Sequence, residues 1–278
     1  MYKIPISELH AKAGQIRRNL IDLIYRAKSG HLDTSLSLVE VWLGLVYSDF
    51  FRCNPKDGAW SGRDAVFLSE GHACPVQYLV NADLGYFDRQ SVFDGNRRPW
   101  TPFQGHTQRS LAHGLENSNG SLGIGLWQAY GFALEWPQYV FCIAGDGEFE
   151  EPSSIGLLAA THLCKPAGNF TLLLNYNRLA QDAPVDIGPL GKVAEAYGWY
   201  VIEVDGHNFE ALDDAYQCAV ADKVRPKFVI CNTIKGKGGD PSREGRLGYH
   251  GKPPGNEIEY QAYLQACVGA SQSSGGAA

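Results

Sequence analysis

The sequence predicts an α/β protein with a doubly wound, mainly parallel sheet and helices on both faces. Three observations carry this. The runs Tyr139–Ala144 and Phe170–Leu174 are apolar without interruption, as strands covered on both faces require. Segments with apolar residues three and four apart alternate with such runs, as helices between parallel strands do. Turn residues rich in glycine and asparagine follow the strands, where an open parallel sheet binds its ligands.

Taken in order, Ser7–Lys28 places Leu9, Ala13, Ile16, Leu20, Leu23, Ile24 and Ala27 on one helical face. A second helix is expected over Leu38–Phe51, with Ser35 or Ser37 as its cap. Ala65–Leu68 reads as a short strand, followed at once by Ser69-Glu70-Gly71-His72. From Asp94 to Gly125 periodicity is lost for about thirty residues, a length that marks a functional loop when apolar residues such as Trp100, Phe103 and Leu111 punctuate it. A helix over Gly123–Leu134, the Tyr139 strand, a helix over Ser153–Cys164 with Ser153 as cap, and the Phe170 strand follow. Then come a helix near Val193–Tyr197, a strand at Tyr200–Val204, a helix at Phe209–Ala221 and a strand at Phe228–Thr233. Residues 1–268 read as one domain, and residues 269–278 as a low-complexity tail expected to be unstructured.

The chain has 278 residues, with 24 Lys+Arg against 30 Asp+Glu for a net charge of −6. Net acidity without a basic run argues against nucleic-acid binding. No stretch reaches the ~18 apolar residues of a membrane span, and Met1–Pro5 lacks the pattern of a signal peptide. The seven cysteines are scattered and form no C-x-x-C pair; Cys142 and Cys231 lie in apolar runs and read as small buried hydrophobes. A reduced, cytoplasmic protein is the expectation. Glycine is the outlier, at 32 of 278 residues against a usual ~7%, which points to many tight turns or close backbone approaches to a ligand.

Four segments fall at the carboxyl ends of strands: Ser69–His72, Gly145-Asp146-Gly147, Asn175-Tyr176-Asn177 and Lys235–Gly239. The glycines around Asp146 admit a ligand, and its carboxylate is a hard oxygen. Asn177 adds an amide oxygen from the next turn. One carboxylate with one or two amide or peptide oxygens suits a Mg²⁺ ion that holds a diphosphate. Alone, Gly-Asp-Gly describes a plain turn; its pairing with Asn177 one βαβ unit later is more specific. Lys235 and Lys237 could neutralise phosphate, but glycine-separated loop lysines are usually just solvated, and Glu148, Glu150 and Glu151 read as partners of the following helix dipole. His31, His72, His106 and His250 each adjoin a glycine in a turn or aperiodic loop, and imidazole both hydrogen-bonds and relays protons near neutral pH. His207 reads as a turn residue.

Gly145-Asp146-Gly147-Glu148 with Asn175-Tyr176-Asn177-Arg178-Leu179 resembles the thiamine diphosphate (ThDP) motif of the transketolase family. Ser29-Gly30-His31, Ser69–His72, Gly105-His106, Gly120–Gly123, Asp205–His207, Thr233–Gly238 and His250-Gly251-Lys252 occur in that family's order, from about Ser7 to Tyr263. The resemblance implies the ThDP-binding fold and assigns Asp146, the Asn177 side chain and the Leu179 carbonyl to Mg²⁺. It gives His72, Gly120, Ser121, Leu122, Gly145, Asp146, Gly147, Glu148 and Asn177 to the cofactor, with His31, His72, His106 and His250 as catalytic residues toward a sugar substrate. Glu151 matches a glutamate of a subunit contact, while Gly156 stands where its partner is expected. His31 is followed by Leu32 and His106 by Thr107, where transketolases carry proline.

In that family a glutamate from a second domain activates the cofactor, and this chain ends where the diphosphate domain should end. The expectation is the N-terminal half of a split transketolase, an α2β2 assembly with a separate pyrimidine-binding subunit. Two other readings stay open: the α-subunit of a ThDP-dependent 2-oxo acid decarboxylase or dehydrogenase, and a ThDP-binding partner without catalysis.

Overall fold

Strands form where apolar side chains can be buried on both faces, and here they align in one parallel sheet. A computed structural model describes residues 1–165 and 167–273 of the chain. Strands β1 (Ala65–Leu68), β2 (Val140–Gly145), β3 (Phe170–Tyr176), β4 (Tyr200–Asp205) and β5 (Lys227–Asn232) lie in the order β1-β2-β3-β5-β4. Side chains alternate between faces with the strand period of two. Phe141, Ile143, Leu173, Val229 and Cys231 pack with helices α1 (Ile6–Ala27), α3 (Val39–Val46), α4 (Cys74–Leu84) and α9 (Phe209–Ala221). Val140, Cys142, Ala144, Leu172, Leu174, Phe228 and Ile230 pack against α6 (Ile124–Ala133), α7 (Pro152–Leu163) and α8 (Leu190–Ala196) on the other face. Each large side chain so buried contributes ~1.5–3 kcal/mol. Cys142 and Cys231 are buried thiols, as their apolar runs imply, and burial pushes the Cys231 thiol up to about 12.

The helix expected over Leu38–Phe51 is instead two: α2 (Leu32–Ser37) and α3. Ser35 and Ser37 are not caps; their hydroxyls donate to carbonyls four residues earlier, at His31 and Asp33, inside α2. α3 stops at Val46 because the N-terminal segment takes over the backbone beyond it: Lys3 N–H donates to the Tyr47 carbonyl and Asp49 N–H to that of Met1. α7 begins with Pro152 at its first position, which presets the helical φ, so Ser153 lies inside it and does not cap it. The loop after Asp94 buries Phe103 against Tyr78 and Phe87, whereas Trp100 is fully exposed.

Three helices carry no periodic signal. α4 is buried nearly all round, so no polar stripe marks it. α5 (Arg89–Gly95) is short, and α10 (Glu257–Ser273) lies along α1, with Tyr260 stacked on Tyr25. α10 runs into the segment expected to be unstructured, of which residues 274–278 lie outside the described residues. No helix of the described residues is long and apolar enough to cross a membrane.

Register sets the site. Gly145, Asn175 and Cys231 are level across β2, β3 and β5, so the turns that follow these strands emerge on one edge.

Candidate active site

One glycine and one strained residue shape the turns around the ends of β2 and β3. A Cβ at Gly145 would come within 2.8 Å of the Glu70 carboxyl, so glycine at the end of β2 leaves room for the turn that follows β1. Asp146 accepts hydrogen bonds from Gly147 N–H (2.9 Å) and Arg178 N–H (2.6 Å). Arg178 sits in the left-handed region (φ 65°), a cost of about 1 kcal/mol or more that the Asp146 bond offsets. That bend brings Asn177 and Leu179 round; the Asn177 amide oxygen accepts from Leu179 N–H (3.1 Å). Burial pushes the Asp146 carboxyl up, and the amides of Arg178 and Gly147 work against it.

Glu148 ties the walls together. Its carboxylate accepts from the Ser69 hydroxyl (2.6 Å), Gly123 N–H (2.8 Å) and Gly145 N–H (2.9 Å), joining the turn after β1, the start of α6 and the end of β2. It is buried, so a helix-dipole role at the surface does not describe it. Lys235 corrects the sequence reading more sharply: it is 4% exposed, and its ammonium donates to the carbonyls of Leu179 (2.8 Å) and Ala180 (3.0 Å). Lys237 is the half-exposed one, paired with Glu244 at 3.2 Å.

His31, His72 and His250 form a ring cluster with centroids 4.7, 4.8 and 5.0 Å apart. Lys235 Nζ lies 3.1 Å from His250 Nδ1; the ammonium can only donate, so Nδ1 accepts and the proton of His250 is on Nε2. His31 Nδ1 is buried without a hydrogen-bond partner. Burial lowers His31 to about 4, helped by His250, and lowers His250 to about 4, helped by Lys235. Burial also holds His72 well below the ordinary value and lowers His106. These imidazoles are therefore neutral at pH 7.

Their linkage has a definite sign. Below the ordinary value of 6.5 the unfolded chain binds more protons than the folded one, so stability falls as pH drops from about 6.5 to about 4. NMR titration is expected to leave the His31 and His250 rings neutral at pH 5.5, with denaturant midpoints declining over the same window. Midpoints rising toward pH 4 would contradict the burial argument.

A cavity of 310 Å³ collects these groups. Of the residues singled out in the sequence, His31, His72, His106, His250, Leu122, Gly145, Asp146, Gly147, Glu148, Asn177 and Leu179 line it. Gly120 and Ser121 lie on the exposed turn before α6, off the lining. Thr34, Glu70 and Lys235 line it without having been singled out as site residues; Glu70 and Lys235 each precede a glycine in a segment that follows a strand, a signal that Thr34 lacks. Among the described residues no cluster of three His, Cys, Asp or Glu side chains could hold a metal ion. A divalent ion at this edge would need one carboxylate, one amide oxygen and one peptide carbonyl, the hard set that Asp146, Asn177 and Leu179 offer.

Fold and site together define an α/β domain that receives a small-molecule ligand at the carboxyl edge of its sheet. The family described as "Transketolase, thiamine diphosphate binding domain" matches residues 9–266. The chain belongs to this transketolase family. It is 32% identical to the 6-deoxy-6-sulfo-D-fructose transketolase subunit SqwG of Clostridium sp., over 87% of this chain and 90% of that protein. It is also 32% identical to the chromosomal transketolase of Cupriavidus necator, over 87% of this chain but only 39% of that enzyme. The crystal structure of transketolase from Campylobacter jejuni superposes with a TM-score of 0.85 at 28% identity, over 95% of this chain and 43% of the other. The chain thus spans less than half of the full-length transketolases and nearly all of the subunit.

Proposed function

We propose that this chain is the diphosphate-binding subunit of a two-component, cytoplasmic transketolase that depends on ThDP and Mg²⁺. It moves a two-carbon ketol unit from a ketose to an aldose acceptor. A separate pyrimidine-binding subunit supplies the activating glutamate, in an α2β2 assembly. The observation that carries this reading is the convergence of Asp146, Asn177 and Leu179 beside four neutral imidazoles in one cavity.

The residues fit the absent groups. Asp146, the Asn177 amide and the Leu179 carbonyl would hold Mg²⁺, and a Cβ at Gly147 would meet only Ala180, at 3.8 Å, so the backbone is open to a diphosphate there. ThDP, when bound, supplies the electron sink that lets a carbon–carbon bond break. His72 would contact the diphosphate, while Gly120, Ser121 and Leu122 would receive the aminopyrimidine end. His31, His106 and His250 orient sugar hydroxyls and pass protons among them, which neutral imidazoles do without adding charge. Lys235 offsets negative charge at the same edge.

Two observations support the partner. SqwG, of which this chain covers 90%, is itself described as a subunit. Leu122, Ile124, Trp127 and Ile155 are exposed apolar residues, and Leu122 also lines the cavity. Trp127 and α7 are neighbours, since the indole N–H donates to the Ser153 carbonyl.

The test is reconstitution. The chain, its partner and the mixture are each given ThDP, Mg²⁺ and either ketose phosphates, 6-deoxy-6-sulfofructose or 2-oxo acids. Aldose release is expected from the mixture alone. Carbon dioxide from the 2-oxo acids, ketol transfer by the isolated chain, or no turnover by any mixture each overturns the reading.

A further inference from the structure

The loop that delivers Lys235 is held from outside the cavity by side chains that the proposed chemistry does not use. Ile234 N–H donates to His207 Nε2 at 2.8 Å. On the other side of the ring, His207 Nδ1 lies 3.1 Å from Glu40 Oε2. Arg17 pairs with both oxygens of Glu40 at 2.7 Å, and its Nε donates to the Lys237 carbonyl at 2.9 Å. Glu40 and Arg17 are 5% and 8% exposed, so neither partner is easily replaced by water. Burial alone would push the Glu40 carboxyl up, but Arg17 and His207 hold it at about 2, so it stays an acceptor.

The chemistry of the two contacts fixes the imidazole. A backbone N–H can only donate, so Nε2 must be the unprotonated nitrogen, and the proton sits on Nδ1 facing Glu40. Gly206 makes the approach possible. A Cβ there would come within 2.5 Å of Thr233, and its N–H donates to the Asn232 carbonyl at 2.8 Å. The loop is therefore gripped at Ile234 and at Lys237, on either side of Lys235 and Gly236 (φ 78°).

We propose that His207, as its Nδ1–H tautomer, is a positioning residue that latches the Ile234–Gly239 loop to the Arg17–Glu40 pair and so sets where the Lys235 ammonium meets the Leu179 and Ala180 carbonyls. Its effect on cofactor affinity rests on the function proposed above; the latch itself does not.

The first measurement is on the whole chain without cofactor. Side-chain ¹⁵N NMR at pH 7.5 is expected to show His207 protonated at Nδ1 and bare at Nε2; a protonated Nε2 overturns the proposal. In His207→Phe, amide exchange at Ile234 is expected to rise about tenfold, the size of one lost hydrogen bond, while exchange in β2 and β3 is unchanged. His207→Gln, which keeps an acceptor, is expected to restore much of the protection. Unchanged Ile234 exchange in His207→Phe overturns the latch. In the reconstituted enzyme, His207→Phe is expected to raise the ThDP concentration for half-activity several-fold, with kcat at saturating ThDP kept within about twofold; an unchanged half-activity concentration overturns the positioning role. If the unaltered chain fails to bind ThDP, the proposed function falls, and the NMR and exchange results still decide the latch.

Discussion

Asp146→Ala is expected to lower Mg²⁺-dependent ThDP affinity by on the order of 100-fold or more, beyond the ~10–100-fold that loss of a supporting partner costs a metal site. The reason is that the donor set has one charge. Asn177 and Leu179 offer neutral oxygens, and a hard divalent ion held by those alone keeps its water instead. The substitution also frees two N–H groups, of Gly147 and Arg178, in a place that is 3% exposed. With its anchor gone, the left-handed Arg178 relaxes, and Asn177 and Leu179 move with it. Asp146→Asn separates the two effects, because its amide oxygen can still accept from Arg178 N–H while the charge is lost. Calorimetry of ThDP binding to the full chain, with Mg²⁺ and with a chelator, is expected to show both variants reduced to the chelator level. Affinity unchanged in Asp146→Asn would remove Asp146 from the metal site.

Why Asp146 and Asn177 are readable in the sequence, and the burial of Lys235 is not, has a physical cause. Strands β2 and β3 are apolar on both faces, so their ends are visible as the first polar residues after an unbroken run. Adjacent parallel strands then bring those ends side by side without further information. α4 is invisible for the converse reason: Cys74–Asn81 are buried on every side, so the contrast that marks a helix is missing. Lys235 is misjudged because a lysine goes inside only when acceptors await it, and these are carbonyls of Leu179 and Ala180 from another turn, about 55 positions away. His207 hides its role in the same way, since Glu40 lies 167 residues distant. Even Gly120 and Ser121, found by resemblance to the family's motif, lie on an exposed turn rather than on the lining.

Glu148→Ala is expected to destabilise the chain by about 3 kcal/mol or more, from three buried donors losing their acceptor at ~1–3 kcal/mol each and without strict additivity. Against a total of ~5–15 kcal/mol for a domain, that is a large share. The donors are not interchangeable: Ser69 belongs to the turn carrying Glu70 and His72, Gly123 opens α6 behind Leu122, and Gly145 leads into Asp146. Removing the carboxylate therefore loosens three walls of the cavity at once, although Glu148 is 1% exposed and its lone pairs face the protein. Glu148→Gln keeps the shape but presents an NH₂ to one of the three donors, so a loss smaller than for alanine is expected. Urea denaturation of the chain without cofactor reads both, and a change under about 0.5 kcal/mol in Glu148→Ala would mean that water replaces the carboxylate. ThDP affinity is expected to fall in step with stability in this series. That differs from Asp146→Asn, where affinity falls while the fold remains, and the contrast tells a residue that builds the cavity from one that holds its contents.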